Sequence, residues 1–543
     1  MKRSISAGIC SLFVAGSVLA GCGSETATKP TDDTAVSSSE KKGEPKVLRW
    51  NLHSEPPTAD PGLAEDTTSG AIIRATFDGL TRTDENMKPN PSMAEKIDVS
   101  SDMLTYTFHL RDAKWSNGDP VTAQDFEFAW KRALDPKTGS SYAYQLFYLK
   151  NGEKFNKGEA KAEEVGVKAI DAKTLEVTLE NPTPFFLELT AFYTYYPVNR
   201  KVVEANPQWA AEAATHVGNG PFKIESWEHK SKLVLVKNEN YWDKDTVKLD
   251  GIKFSIVEDE NTEFSMFEND ELDWAGKPLS SLPIDAMPAL KESGTLVSQP
   301  IAGTYFYKFN TEKVPFNNAK IRKAFAYAIN RQQIIDNITQ GNEKTAFSLV
   351  PPSMAVSTQP YYKDNDVETA KRLLQEGMQE LGITKLPPIA LSFNTSEAHK
   401  KIAEAIQDQW KKTFGVEVQL SNKEWKVYLE DQNQGNFMVC RSGWLGDFND
   451  PINFLEMFKD KNGGNNNTFW ENAKYKELLN QSSIEADPEK RKQLLAQAEQ
   501  ILMDEMPIVP IYHNTETWVQ KENVKGVLID GLGFIDWKWA TVE

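Results

Sequence analysis

The side chains that could carry out chemistry in this chain follow none of the familiar catalytic patterns. The sequence contains no G-x-S-x-G nucleophile elbow, no H-E-x-x-H zinc motif, no C-x-x-C pair, no P-loop and no G-x-G-x-x-G. The six histidines are scattered, at positions 53, 109, 216, 229, 399 and 513. Two carboxylates could still meet in space, as in glycoside hydrolases, and the sequence leaves that open. The residues therefore favour a binding protein over an enzyme, with no metal site and no cofactor.

The cysteines point to export and not to disulfide chemistry. Lys2 and Arg3 precede an apolar run over residues 9–20, which is too short to span a bilayer and predicts a signal peptide over residues 1–21. The ending Leu19-Ala20-Gly21-Cys22 resembles the lipobox of bacterial lipoproteins, which implies a lipid on Cys22 that tethers the chain to the outer face of a membrane. The alternative is an ordinary signal peptide in which Cys22 is incidental. Only Cys440 then remains, so no intramolecular disulfide can form.

Composition separates a leash from a large folded body. Residues 22–46 are almost entirely small or polar, which predicts a disordered segment that holds the body away from the membrane. About 500 residues follow, enough for two or three domains with sizeable cores. The chain has 78 acidic and 61 basic side chains, a net charge of −17, which argues against nucleic acid or anionic lipid as a partner. Its 14 Trp, 16 Tyr and 27 Phe can supply both a core and a binding cleft.

The pattern of apolar residues predicts the α/β class. Thr122 is placed as an N-cap, with Asp125 completing a capping box. A second helix is predicted over residues 398–414 and stops at Gly415, after which residues 416–420 alternate as a strand. Weakly alternating strands are predicted near residues 104–110, 175–179, 233–236 and 252–256. Helices that alternate with strands indicate α/β lobes with some parallel pairing.

Six short segments are spread along the body of the chain. They are Phe77-Asp78-Gly79-Leu80, residues 114–123 (KWSNGDPVTA), Gly218-Asn219-Gly220-Pro221-Phe222, Asn240-Tyr241-Trp242-Asp243, Tyr307-Lys308-Phe309-Asn310 and Arg441-Ser442-Gly443-Trp444-Leu445-Gly446-Asp447. Together they resemble the oligopeptide-binding proteins of ABC importers, from about Val47 to the C-terminus. The resemblance implies a two-lobed periplasmic-binding-protein-like fold with a hinge and an extra domain inserted in the first lobe.

The same resemblance sets the predicted domain limits. The first lobe is discontinuous, over residues 47–77, 205–303 and 516–543, so strands near both termini should meet. Residues 78–204 form the inserted domain. Residues 304–515 form the second lobe, which carries the site for the peptide amine.

The segment from Arg441 to Asp447 carries the most chemistry. An extended peptide can be bound as an added strand through its main chain, and a buried ammonium then needs a carboxylate partner. The resemblance gives that role to Asp447 and gives strand pairing with the ligand to Gly443, Trp444 and Leu445. Without the resemblance, Asp447 in a turn-rich string would be interpreted as a turn or cap residue.

The remaining candidate residues each keep an alternative. Across the cleft, Glu65, Asp66 and Thr67 resemble a first-lobe strand that also pairs with the ligand. Arg441 matches an arginine that meets the carboxylate of short peptides, or it forms a salt bridge with Glu65. Trp444 and Trp425 match tryptophans that wall side-chain pockets, with core packing as the alternative. His399 matches a histidine reached by longer peptides, or is simply a surface residue.

One residue departs from the family pattern and bears on ligand length. Where some members place another carboxylate-reading arginine, this chain has Gln432, which leaves open which peptide lengths it favours. The predicted function is a lipid-anchored, monomeric receptor on the outer face of the cell membrane, which captures oligopeptides and delivers them to an ABC importer permease. The alternatives are a receptor for signalling or pheromone peptides, a secreted hydrolase, and a receptor for sugars, nickel or haem.

Overall fold

A computed structural model describes residues 45–84, 88–485 and 487–543. The predicted signal peptide, Cys22 and nearly all of the predicted leash lie outside the described residues. Residues 45–543 form one compact unit. Within the part of the chain that is described, no helix combines the length and apolar character needed to cross a bilayer.

Strands and helices alternate along most of the chain, which confirms the α/β class. The strands are β1 (Val47–Asn51), β2 (Thr81–Thr83), β3 (Pro89–Pro91), β4 (Ala94–Val99), β5 (Thr105–Leu110), β6 (Val167–Ala169), β7 (Thr174–Thr178), β8 (Phe222–Glu228), β9 (Lys232–Lys237), β10 (Gly251–Ser255), β11 (Trp274–Gly276), β12 (Val297–Phe309), β13 (Lys344–Thr345), β14 (Ile389–Asn394), β15 (Val418–Lys423), β16 (Val439–Leu445), β17 (Ile508–Gln520), β18 (Val524–Lys525), β19 (Leu528–Ile529), β20 (Ile535–Asp536) and β21 (Thr541–Val542). The helices are α1 (Thr67–Thr76), α2 (Ala123–Leu134), α3 (Gly152–Asn156), α4 (Phe186–Leu189), α5 (Arg200–Ala205), α6 (Glu260–Glu268), α7 (Met287–Ser293), α8 (Ala319–Tyr327), α9 (Arg331–Ile334), α10 (Val367–Leu381), α11 (Glu397–Phe414), α12 (Trp425–Asn433), α13 (Ile452–Leu455), α14 (Ala473–Ile484) and α15 (Pro488–Glu505).

The N-terminal strand β1 pairs with a strand that lies about 200 positions later in the chain. We call the sheet of order β1-β10-β9-β8 the first sheet; β1 runs parallel to β10, with Val47 opposite Gly251. The C-terminal segment reaches this sheet by packing, since the Trp537 ring lies 5.5 Å from the Trp50 ring. The segments near the two termini therefore meet through side chains, whereas β1 pairs with β10.

A separate sheet of order β4-β5-β7-β6, which we call the insert sheet, lies within residues 94–178. Its strand β5 alternates as expected, with Tyr106, Phe108 and Leu110 buried. Helix α2 begins where the sequence predicts, because Thr122 and Asp125 form a capping box. All four strands fall within the predicted inserted domain, whose limits at residues 78 and 204 stay a prediction.

The third sheet, which we call the main sheet, has the order β11-β17-β12-β16-β14-β15, with β13 also paired to β17. Strands β12 and β17 are each 13 residues long, and their register shifts between Pro300 and Thr304. The predicted lobe limits at 303/304 and 515/516 thus fall inside two paired strands. Helix α11 ends at Gly415 as predicted, because this residue adopts φ 63°, a conformation that glycine reaches without a steric penalty.

Candidate functional site

The candidate ligand strand is β16, and one of its edges is open. Strand β12 pairs with β16 along its whole length, whereas β14 pairs only with Val439 and Cys440. Within the described residues, the second edge of β16 from Arg441 to Leu445 therefore has no strand partner. Such an edge is a template for an added strand.

Hydrogen bonds identify which main-chain groups face that open edge. The N–H of Gly446 donates to the carbonyl of Ala302 beside β12 (2.8 Å), so the even-numbered residues of β16 face β12. The carbonyl of Arg441 faces the other way and accepts from the Tyr428 hydroxyl (2.6 Å). By the same alternation, the N–H and C=O groups of Gly443 and Leu445 point to the open edge, two residues apart. This spacing suits the main chain of an extended peptide.

A buried carboxylate lies just past the end of this strand. Asp447 is 7% exposed and accepts hydrogen bonds from Gln145 Nε2 (2.6 Å), Asn453 Nδ2 (3.1 Å) and the Tyr142 hydroxyl (3.3 Å). Burial raises the pKa of Asp447 to about 7, although these hydrogen bonds act in the opposite direction. Among the described residues, Asp447 forms no ion pair. A buried carboxylate without a counter-ion favours a cationic ligand group at this position.

Sequence reasoning missed the three residues that hold this carboxylate. Tyr142 precedes a short 3-10 helix (Ala143–Leu146) that contains Gln145 and lies between α2 and the insert sheet strands β6 and β7. They lie about 300 positions before Asp447, so nothing in the local sequence connects them with it. Asn453 accepts from Trp444 Nε1 (2.9 Å) and from the Asp447 amide (2.9 Å), and so fixes both residues.

Both predicted tryptophans border the site while remaining packed. Trp444 is 9% exposed, and its ring lies 5.9 Å from the Tyr142 ring. Trp425 is partly buried at the start of α12, stacks on Tyr428 and donates from Nε1 to Asp66 (3.3 Å). Each tryptophan can therefore serve both as a pocket wall and as part of the packed core, the two roles that the sequence left open.

A positive group marks the other end of the open edge. The Arg441 guanidinium lies 4.7 Å from the Tyr305 ring centre, and the Tyr305 hydroxyl lies 3.2 Å from His399 Nδ1. Arg441 Nη1 donates to Asn394 (3.4 Å), while its buried Nε has no partner in the described structure. Burial and the Arg441 charge lower the pKa of His399 well below its usual range, so His399 is neutral. Asp447 and Arg441 are six positions apart, at most ~20 Å at ~3.3 Å per residue in a strand.

The predicted alternative of an Arg441–Glu65 salt bridge is wrong. Within the described residues, Arg441 has no carboxylate partner, and Glu65 instead accepts from Asn433 Nδ2 (3.0 Å). Burial raises the pKa of Glu65. Glu65 therefore connects the first segment of the chain to α12, and Arg441 keeps donors free for a ligand.

The segment of Glu65, Asp66 and Thr67 also differs from the strand-like expectation. Asp66 is the N-cap of α1 and accepts from the amides of Thr68 and Ser69 (3.1 Å each), and Thr67 is the first helical residue. The aspartate side chain satisfies the free amides of the first helical turn, which starts the helix one residue after the cap. Only the main chain before Thr67 remains outside the helix and could meet a peptide.

A cavity of about 1260 Å³ lies between the insert region and the helices that follow β16. Its walls include Tyr148, Phe185 and the ion pair of Asp450 with Arg491 (2.7 Å). Glu456 accepts there from the Tyr148 hydroxyl (2.6 Å), and burial raises its pKa to about 8. Asp447, Trp444 and Arg441 are not among its lining residues, so this cavity and the open strand edge are separate features.

Comparison with known proteins gives this geometry a context. Residues 88–466 match the family described as bacterial extracellular solute-binding proteins, family 5 Middle. The oligopeptide-binding protein OppA of Bacillus subtilis is 53% identical over 495 residues, 90% of this chain and 91% of that protein. Listeria monocytogenes OppA bound to peptide superposes with a TM-score of 0.85 at 33% identity, over 92% of this chain and 99% of that one.

One relative is known in two arrangements. The Escherichia coli murein tripeptide-binding protein MppA superposes with a TM-score of 0.87, at 32% identity over 92% of this chain and 99% of that one. Its unliganded open form gives only 0.62, at 32% identity over 92% of this chain and 98% of that one. The lobes of this chain are therefore not arranged as in the open form, and the predicted two-lobed fold is confirmed. The chain belongs to the bacterial extracellular solute-binding proteins of family 5.

Proposed function

We propose that this chain is a lipid-anchored receptor that captures oligopeptides in extended form between its lobes and delivers them to an ABC importer permease. The observation that carries the proposal is the open edge of β16, which ends at Asp447, a buried carboxylate with no ion-pair partner in the described residues. A free peptide supplies what both features need, since its main chain can pair with Gly443 and Leu445 while its ammonium meets Asp447.

The proposed site recognises the two ends of the peptide and does not select particular side chains. Main-chain pairing requires no particular sequence, and roomy, hydrated pockets can accept varied side chains. Arg441 is the proposed partner of a short peptide's carboxylate, with His399 beside it. Trp444 and Trp425 are the proposed pocket walls, and the main chain at Glu65 and Asp66 is the proposed first-lobe contact. Thr67 is expected to contribute less to this contact, because its backbone is helical.

The peptide length that the site accepts follows from the distance between Asp447 and Arg441. At ~3.3 Å per extended residue, the span from Asp447 to Arg441 accommodates about three to five residues with both ends bound. Gln432 is buried in α12 and carries no charge, so it offers no second cation for a more distant carboxylate. Longer peptides would leave their C-termini in water.

Lobe closure is the proposed mechanism of capture. We keep the predicted limits: residues 47–77, 205–303 and 516–543 for the first lobe, 78–204 for the inserted domain and 304–515 for the second lobe. The crossings at 303/304 and 515/516 lie on β12 and β17, close to the register shift after Pro300, where a hinge could bend with little loss of pairing. ATP hydrolysis belongs to other subunits, and this chain has a binding role only.

The anchor is the proposed lipid on Cys22, after removal of residues 1–21, in an envelope of the Gram-positive type. Mass spectrometry of the N-terminal peptide from membranes tests this directly. A diacylglyceryl-modified Cys22 at the N-terminus is expected, and a free thiol within an uncleaved chain would refute the anchor. The receptor is expected to be monomeric, which light scattering can check.

The decisive experiment for peptide capture is a titration of residues 45–543 after unfolding and refolding have removed any bound peptide. Tri- to pentapeptides of mixed sequence are added, and tryptophan fluorescence is followed because Trp425 and Trp444 border the site. Saturable binding across many sequences is the expected result. Binding of a single sequence class would favour a signalling role, cleavage detected by mass spectrometry would favour a hydrolase, and no response to any peptide would refute the proposal.

A further inference from the structure

Three consecutive residues at the start of α11 are each held by a residue from the first part of the chain. His53 Nε2 donates to the carbonyl of Thr395 (3.2 Å), and Asn261 Nδ2 donates to Glu397 (3.4 Å). Glu260 accepts from the Ser396 hydroxyl (2.7 Å) and from the Glu397 amide (2.9 Å and 3.0 Å to its two oxygens). Helix α11 belongs to the second lobe, so these contacts bridge the lobes at one point.

The first-lobe side of this contact is firmly tied to its own sheet. His53 and Glu260 come from segments that directly follow β1 and β10, which pair with each other in the first sheet. One turn further along α6, Glu263 accepts from Asn51 Nδ2 of β1 (2.7 Å). Glu260 is therefore presented to α11 from a rigid base and moves with the first lobe.

The Glu260 contact is suited to hold the lobes together. Glu260 is 3% exposed and, within the described residues, forms no ion pair, so its charge is balanced by the hydrogen bonds from α11. The N-terminus of a helix carries free amides and a partial positive charge, which favour a carboxylate there. When the lobes separate, Glu260 and the Glu397 amide both return to water, and this charge-assisted contact is lost.

We infer that Glu260 is a closure latch: its carboxylate binds the N-terminus of α11 only in the closed arrangement and so slows the release of any peptide without touching it. The inference rests on the proposed function. It adds a residue that sets affinity through lobe geometry and is not among those proposed to contact the peptide. The latch also fixes the turn that carries His399, whose ring contacts Tyr305 at the Arg441 end of the site.

The test compares Glu260→Gln with Glu263→Gln, the same substitution one turn along the same helix. Glu263 contacts Asn51, the Gly276 amide (2.9 Å) and Ser280, none of which lies on α11. Dissociation rates of several unrelated peptides are measured by stopped-flow fluorescence. Glu260→Gln is expected to raise every dissociation rate by the same factor, about tenfold, or about 1.4 kcal/mol, with association rates nearly unchanged. Glu263→Gln is expected to leave both rates as in the parent.

A second pair of measurements keeps the inference testable if Glu260→Gln folds poorly. Ser396→Ala removes one donor from the α11 side, and its effect should be smaller and not additive with Glu260→Gln. Hydrogen exchange at the Glu397 amide should be slow in the parent and fast in Glu260→Gln. An unchanged dissociation rate, a rate change confined to some peptides, or an equal effect of Glu263→Gln would overturn the latch. If no peptide binds the parent, the proposed function fails, while the exchange measurement still tests the contact.

Discussion

The sharpest prediction concerns the change of Asp447 to Asn. In the structure this carboxylate is buried among Gln145, Tyr142 and Asn453 and has no ion pair in the described residues. In the proposed complex, the peptide ammonium balances its charge. Removing one partner of a buried charge pair costs about 2–5 kcal/mol, which corresponds to a loss in affinity of about 30-fold to about 4000-fold for peptides with a free amine.

The assay is isothermal titration of one tetrapeptide in free and N-acetylated form against the parent and Asp447→Asn. The parent should bind the free form far more tightly, and the variant should bind both forms weakly and nearly equally. Asp450→Asn is the matched control, because Asp450 pairs with Arg491 beside the separate cavity and should leave the preference for a free amine intact. Equal binding of the two forms by the parent, or an unaltered preference in Asp447→Asn, would refute the assignment of the amine site.

Three further predictions follow from the charges and burial of particular groups. Because burial raises the pKa of Asp447 to about 7, the affinity for free-amine peptides should fall as pH drops from 8 to 5. The affinity of Asp447→Asn should not show this fall. A parallel fall in the variant would contradict the prediction. Arg82 is buried between Asp78 (3.1 Å) and Asp536 (2.7 Å). Because Arg82→Met leaves these buried carboxylates without their partner, it should lower the free energy of unfolding by about 3–5 kcal/mol in denaturant titrations. A loss below about 1 kcal/mol would contradict this prediction. Burial raises the pKa of Cys440 to about 12, so native protein should resist thiol reagents that label it fully in denaturant; rapid native labelling would contradict the burial.

Local elements were predictable because their signals are short in sequence. A capping box needs only Thr122 and Asp125, and a helix stop needs only Gly415, since both act on amides or carbonyls within one turn. Alternation along residues 105–110 likewise depends on a strand burying one face. The segment from Glu65 to Thr67 was predicted less well, because an aspartate that precedes a helix competes as an N-cap with any extended interpretation.

The sequence by itself determined the class of the protein and the segment that ends at Asp447, because these depend on composition or on a few neighbouring residues. Only the tertiary structure decided what surrounds that segment. Gln145 lies 302 positions from Asp447, and Glu65 lies 368 positions from its partner Asn433. Such contacts depend on how sheets and helices pack, and many residue types could serve equally at each position. The open edge of β16 is likewise a property of where β14 stops pairing, which no local pattern of residues encodes.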